Sequence, residues 1–262
     1  MISHFPLFPM SPVSPRQILH ELVARAEQSH QSLQFTTYIS AYQYIKLYEL
    51  MAQYAPPGAK VLDWGTGSGH FSYYLVRSGY AASGFGFSDG PPFCQEFNQS
   101  EYRYQPGSPE HPIAIPFADA TFDVVVSVGV LEHVRETGGD ELASLKEIHR
   151  ILKPGGYFIC YHFPNRHSWI EFLARRTQRF SHPYLFNTQD IHALVGATPL
   201  QLQCWGRYAL LPRNIWQTRL ASHPHWGPIA ATWYNQLDQV LGQLLPFICQ
   251  NYYFVARKPD GL

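Results

Sequence analysis

The stretch Val61-Leu62-Asp63-Trp64-Gly65-Thr66-Gly67-Ser68-Gly69-His70-Phe71 limits what this chain can fold into more than any other segment. An apolar pair runs into an aspartate, three glycines follow at alternate positions, and a helical pattern begins at once. Read as strand, turn and helix, it places backbone amides and the positive end of a helix around a ligand, and the glycines let that backbone come close. A dinucleotide cradle requires G-x-G-x-x-G, whereas here the third glycine comes one residue early and position 70 is histidine. No Gly-Lys-Ser/Thr follows, which excludes a phosphate-binding P-loop. A tight turn without any ligand stays open at this point.

The flanking pattern extends the same reading. Short β-like runs alternate with helical ones: strand Lys60 to Trp64, helix Gly69 to Ser78, strand Tyr80 to Phe85, a short helix Pro91 to Asn98, and a weak strand Tyr102 to Gln105. A valine-rich strand, Phe122 to Val128, suits a sheet centre buried on both faces. Asp140 caps a helix with Leu142, Leu145, Ile148 and Leu152 on one stripe, Lys153-Pro154-Gly155-Gly156 stops it, and Tyr157 to His162 makes a fifth strand. Helices follow over Arg166 to Phe180 and Thr188 to Val195, then strands Leu200 to Trp205 and Asn251 to Arg257. This βαβ rhythm predicts an α/β fold around a mostly parallel sheet.

The chain ahead of the sheet divides into a proline-rich arm, 1–15, and a helical cap, 16–57. In the cap, Ile18, Leu19, Leu22, Val23 and Ala26 form one apolar face, and Tyr38, Tyr42, Ile45, Tyr48 and Ala52 a second. The remaining 58–262 form the main domain, with insertions near 165–199 and 212–246; in the second, Trp233, Leu237, Val240, Leu241 and Leu244 share a helical face.

Nineteen basic and nineteen acidic residues cancel and no like-charge block occurs, so nucleic acid is not expected as a partner and a small molecule is. The four cysteines are far apart and form no CxxC pair, which points to a reducing, cytoplasmic setting. No apolar run approaches the ~20 residues of a membrane span.

At the level of combined motifs, VLDWGTGSG resembles motif I of the class I S-adenosylmethionine-dependent methyltransferases. IPFADATFDVVVSVGVLEHV (115–134) and LKEIHRILKPGGYFIC (145–160) are similar to the fourth and fifth strand regions of the branch that includes the ubiquinone and menaquinone biosynthesis enzymes. The resemblance covers a little under half the chain. It implies a Rossmann-like sheet of seven strands, six parallel and one antiparallel, with helices on both faces, and S-adenosylmethionine as cofactor. It places the cofactor against Asp63, Gly65, Thr66, Gly67 and Gly69, against Gly86 and Phe87 at the second strand, and against Val128 and Gly129 at the fourth. A carboxylate at 63 suits the cofactor's ammonium by charge-assisted hydrogen bonding.

Two positions depart from the family pattern. The acid that grips the ribose hydroxyls is replaced by Gly86 in Ala82-Ser83-Gly84-Phe85-Gly86-Phe87-Ser88, and Asp89 is the nearest carboxylate that could take its place. After the third strand, Gly107-Ser108 stands where relatives carry Gly-Asp, leaving Ser108 as a neutral hydrogen-bonding group.

For the chemistry, His133 follows the fourth strand at the sheet edge where open α/β folds bind ligands, and it is the candidate general base for a hydroxyl acceptor. His162, Asn165, Arg166 and His167, after the fifth strand, are candidate acceptor contacts, and Arg175, Arg176 and Arg179 more often form a solvated face. Glu132 with a histidine or two could hold a divalent ion, but no second carboxylate stands at a convincing spacing, so no metal is expected. The expected acceptor is a small molecule (quinone, lipid, sugar or natural product), with peripheral lipid contact allowed by the apolar insertion. A methyltransferase-fold binding protein without turnover is the alternative.

Overall fold

The computed structural model describes residues 13–29, 33–179, 181–216 and 218–261. The expected arm lies almost wholly outside the described residues. Helix α1 (Pro15–Ser29) comes first, followed by α2 (Tyr38–Ala41), a 3-10 turn over Tyr42–Tyr44, and α3 (Ile45–Tyr54). Then come β1 (Lys60–Trp64), α4 (His70–Arg77), β2 (Ala81–Gly86), β3 (Tyr102–Pro106) and β4 (Phe122–Val128). The chain continues with α5 (Glu141–Ile151), β5 (Leu152–Pro164), α6 (Trp169–Arg176), α7 (Thr188–Gly196), β6 (Gln201–Tyr208), α8 (Arg219–Ser222), α9 (Trp226–Leu244) and β7 (Asn251–Arg257).

The seven strands make one sheet in the order β3-β2-β1-β4-β5-β7-β6. β7 runs antiparallel to both β5 and β6, and the remaining neighbours are parallel. Chain direction reverses its lateral march between β1 and β4, so the carboxyl ends of these two strands flank the crevice where such sheets place ligands. β4 sits at the centre, and Val124, Val125 and Val126 are fully buried, as a strand covered on both faces requires.

One apolar layer lies under the cap and α4, the other under α5 and α7. The α1 face Ile18, Leu19, Leu22, Val23 and Ala26 is buried against the first layer, as its spacing predicts. The second cap face is buried as expected at Tyr38, Tyr42 and Tyr48, with Ile45 partly buried, and departs only at its end. The 3-10 turn at Tyr42–Tyr44 interrupts the helix and changes its phase, so Tyr44, Leu47 and Met51 turn inward while Ala52 is exposed.

Three further boundaries move. The expected helix at 91–98 shrinks to a 3-10 turn, Pro92–Cys94. α5 ends at Ile151, and Leu152 already pairs with Phe122. Lys153-Pro154-Gly155-Gly156 is an irregularity inside β5, with Gly155 at φ +78°, rather than a loop ahead of it. α6 starts at Trp169 instead of Arg166, since the Ser168 hydroxyl accepts the Glu171 amide and sets the N-cap there.

The apolar stripe of α9 also departs from the packing it suggests. Trp233 and Leu244 are each 70% exposed, and Leu237 and Val240 point outward with them. The helix instead buries Gly227, Ala231 and Asp238, and Asp238 is anchored by Arg213 and by the Leu211 amide. Among the described residues, no helix is long and apolar enough to cross a membrane.

Candidate functional site

The loop after β1 is fastened from below. Gly65 and Thr66 donate their amides to the Phe85 carbonyl at the end of β2 (2.8 and 3.0 Å), and Gly69 donates to Thr66 (2.7 Å). Gly65 sits at φ +86° and a β-carbon there would collide with Val130, so this position accepts only glycine without rearrangement. Gly67, at φ +49°, faces open space. The loop therefore presents a bare backbone on one side of a fixed hook.

Asp63 lies just beneath, 1% exposed, with Ser72 Oγ donating to it at 2.7 Å and Tyr102 completing the chain at 2.9 Å from Ser72. No cationic side chain among the described residues pairs with it. Burial raises its pKa to about 7, against the opposing pull of the Ser72 hydrogen bonds. A buried carboxylate held by the Ser72 hydroxyl and amide, with no cation beside it, is suited to receive a positive group. Thr66 Oγ1 is likewise buried without a partner. These observations fit the ammonium-bearing methionine portion of S-adenosylmethionine.

The other half is built differently. A β-carbon on Gly86 would lie 3.2 Å from the Tyr104 hydroxyl and 3.3 Å from Thr66 Oγ1, so two neutral oxygens crowd the place where an acid would branch. Tyr104 donates to the Ser88 carbonyl at 2.7 Å and pins the following turn. Phe87 is 44% exposed, edge-on to Phe85, and Asp89 is exposed at the rim. Ser108 is partly buried and donates to Glu110. Val128 ends β4, and Gly129 (φ +68°) ties it to β5 by donating to Tyr161 at 2.9 Å.

Above the loop the cap supplies an aromatic wall. Tyr44 stands with its ring centroid 4.9 Å from His70, 5.3 Å from His162 and 5.0 Å from Phe35. Burial pushes the His70 imidazole down to about 4 and His162 down to about 3, so both are neutral at pH 7. His162 is held in the left-handed region at φ +65°, where the β5–β7 register slips between Cys160 and Phe163. Such a conformation costs on the order of 1–3 kcal/mol, and bulges of this kind gather next to functional sites.

The hydrogen bonds assign the His162 tautomer. Tyr208 Oη accepts the His162 backbone N–H at 2.9 Å and lies 2.9 Å from Nδ1, with Asn251 Nδ2 3.4 Å from the same nitrogen. Nδ1 is therefore an acceptor and Nε2 carries the proton. His133 is the converse. Its Nδ1 lies 2.7 Å from the Glu136 carboxylate, which can only accept, so Nδ1 carries a proton and, in the neutral ring, Nε2 holds the lone pair. It stands 3.9 Å from Glu132 and in ring contact with His182, a side chain that the sequence did not single out.

The other proposed acceptor contacts separate. Asn165 is fully buried, and its amide donates to the Phe247 and Cys249 carbonyls at 2.9 and 2.8 Å while its oxygen accepts the His167 amide. It braces a turn, and full burial with both amide hydrogens spent on backbone carbonyls leaves it no donor for a substrate, unlike the sequence expectation for this residue. Arg166 and His167 are exposed, with Arg166 3.6 Å from Asp190. His70, Tyr104 and Tyr208 lie in this region and were not singled out by the sequence. The signal for His70 was its place directly after the third glycine, where a dinucleotide cradle would carry glycine.

An open α/β sheet of this strand order, with a glycine hook and buried carboxylate at its switch point, defines the class I methyltransferase architecture. A family model described as a methyltransferase domain matches residues 35–204, and the chain belongs to that family. It is 36% identical over 101 residues to the demethylmenaquinone methyltransferase of Corynebacterium kroppenstedtii, covering 38% of this chain and 40% of the relative. It is 29% identical over 170 residues to the ubiquinone/menaquinone biosynthesis C-methyltransferase of Geotalea daltonii, covering 62% and 65%. Several curated relatives are matched over about half their length. Among solved structures, the 1,6-didemethyltoxoflavin N1-methyltransferase of Burkholderia thailandensis, determined with 1,6-didemethyltoxoflavin and S-adenosylhomocysteine bound, superposes with a TM-score of 0.55 at 18% identity. That superposition covers 98% of this chain and 94% of the other.

Proposed function

We propose that the protein transfers a methyl group from S-adenosylmethionine to a hydroxyl oxygen of a small-molecule acceptor seated under the cap. The observation that carries this reading is the buried, cation-free Asp63 beneath an open glycine loop and opposite the Tyr44–His70–His162 wall. Asp63, Gly65, Thr66, Gly67 and Gly69 would hold the methionine portion, Val128 and Gly129 its far side, and Phe87 and Ser108 the adenine side. Thr66 Oγ1 and Tyr104 Oη, which crowd Gly86, take over the ribose hydroxyls, and Asp89 is the carboxylate at the rim.

The cofactor supplies an electrophilic methyl group on a sulfonium, so positioning is most of what the protein contributes. His162 Nε2–H donates to an oxygen of the acceptor and fixes its direction. Neutral His70 and Tyr44 close an aromatic wall that suits a ring-bearing acceptor. His133, oriented by Glu136 and keeping its Nε2 lone pair, is the proposed base for the hydroxyl proton, a role worth roughly 10²–10⁴-fold in rate. Quinone-like, lipid, sugar and natural-product hydroxyls all remain within this acceptor class. The outward stripe of α9 supports peripheral contact with a lipid surface, and the four free cysteines support the cytoplasm as the proposed compartment.

The test is transfer of a labelled methyl group from S-adenosylmethionine to a panel of phenols, hydroquinones, amines and activated carbon acids. Label recovered as a methyl ether supports the proposal; label found only on carbon or nitrogen excludes the oxygen assignment. A second reading, a binding protein without turnover, is favoured by Gly86, and it predicts cofactor binding with no transfer to any acceptor.

A further inference from the structure

A second cluster lies on the other side of the β4 end. Glu132 and His133 come from the 3-10 turn Leu131–Thr137, and His182 comes from the loop between α6 and α7. One ligand atom from each of the three lies within 4.8 Å of the others. Glu132 is 1% exposed and its Oε2 is buried with no hydrogen-bond partner, a costly arrangement for a carboxylate unless something completes it.

Both imidazoles are aimed by further carboxylates. Glu136 lies 2.7 Å from His133 Nδ1. Buried Glu171 lies 2.8 Å from His182 Nδ1 and accepts the His182 backbone amide at 3.1 Å. A carboxylate on Nδ1 sets the tautomer in which Nε2 is the ligand nitrogen, and this outer arrangement is the one that metal-binding histidines use. The loop is also docked independently, since the Arg135 guanidinium covers the Tyr184 ring at 4.7 Å.

We propose that Glu132, His133 and His182 form a binding site for a divalent first-row transition cation, with Glu136 and Glu171 as the groups that orient the two histidines. Two imidazoles and one carboxylate are a donor set that zinc, cobalt and manganese accept, with at least one coordination position left open. Donor atoms around a tetrahedral ion stand ~3.3 Å apart, so side-chain rotation of about an ångström closes the cluster. Chain spacing does not announce this set, because His182 reaches it only through the fold, and the expectation of no metal rested on the lack of a second carboxylate at a convincing spacing.

The inference does not rest on methyl transfer. It does bear on it, since the His133 Nε2 lone pair cannot hold a cation and abstract a proton at once.

The test uses the full chain without an affinity tag, freed of metal by chelation and titrated with Co²⁺ by visible absorption, then with competing Zn²⁺ by calorimetry. The proposal predicts one saturable Co²⁺ per chain, displaced by Zn²⁺. His182→Ala and His133→Gln should each weaken binding at least ~10-fold, and Glu171→Gln by ~10–100-fold. His223→Ala/His225→Ala, at the exposed histidine pair before α9, should leave it unchanged. Thermal melts of the metal-free variants verify that each is folded, and Glu171→Gln stands in if His182→Ala is not. Absence of saturable Co²⁺ binding overturns the proposal, as does binding that survives both histidine substitutions or is lost with His223 and His225.

Discussion

The two ends of the crevice are held by opposite means. At the β1 end the binding groups are rigid and partly charged: Gly65 is locked against Val130 and Asp63 is fixed by Ser72. At the β2 end no carboxylate is built in, and two neutral hydroxyls crowd Gly86 while Asp89 lies outside on a turn. The comparison teaches that the affinity of this site is concentrated at the methionine half. A charged hydrogen bond is worth roughly 1.5–3 kcal/mol against about 1 kcal/mol for a neutral one, so the adenosine half contributes less than a paired acid would.

The comparison breaks first at its most rigid point. Gly65→Ala would force a side chain into a left-handed residue that already touches Val130, and a loss of about 2–5 kcal/mol in folding stability, read by denaturant titration, is expected. An unchanged midpoint would mean that the hook is soft.

At the other end, Gly86→Asp alone should bring no gain in S-adenosylhomocysteine affinity, because its β-carbon meets the Tyr104 hydroxyl at 3.2 Å. Combined with Tyr104→Phe, it should bind about 10-fold tighter than Gly86→Asp alone, the lower bound for one charged hydrogen bond. A gain from Gly86→Asp by itself would show that crowding is not what keeps the acid out. Asp89→Ala is expected to weaken binding by about 3-fold or less, as befits an exposed group. A tenfold loss would move the ribose contact to the rim.

A separate expected effect is in pH dependence. Asp63 is raised in the folded state to about 7 from 3.8, so the native protein binds more protons than the unfolded chain between these values, and its ionisation lowers stability as pH rises through that window. Asp63→Asn removes this contribution, and its Tm relative to the parent should be more favourable at pH 8 than at pH 5. His70 and His162 act oppositely. Their folded values lie below 6.5, so the stability that depends on their neutral forms is present above 6.5 and declines as pH falls.

Much of the fold was legible because local signals agreed with it. The valine run of β4, the glycine loop and the α1 face each carry a pattern that one environment satisfies. On the cap's second face Tyr38, Tyr42 and Tyr48 are buried as their spacing predicts, while a 3-10 turn at Tyr42–Tyr44 adds Tyr44 to the inward set without any marker in the residues. The stripe on α9 follows helical spacing yet points outward, since periodicity reports that apolar residues share a face but not which way the face turns.

The site divides in the same way. Asp63 and the glycines were legible because their spacing is contiguous. Asn165 looked available beside histidines and an arginine, but the backbone carbonyls of Phe247 and Cys249 claim its amide from more than eighty residues away. His162 with Tyr208, and His133 with His182, are pairs made by the sheet and the α6–α7 loop, and no local pattern announces them.

The central claim is that a cation-free buried carboxylate receives the ammonium end of the cofactor. Calorimetric titration of the chain with S-adenosylhomocysteine, which keeps that ammonium, tests it most directly. One saturable site per chain is predicted, weakened about 10–100-fold by Asp63→Asn in a protein that still folds. No measurable heat at millimolar ligand, or an affinity that Asp63→Asn leaves unchanged, would contradict it.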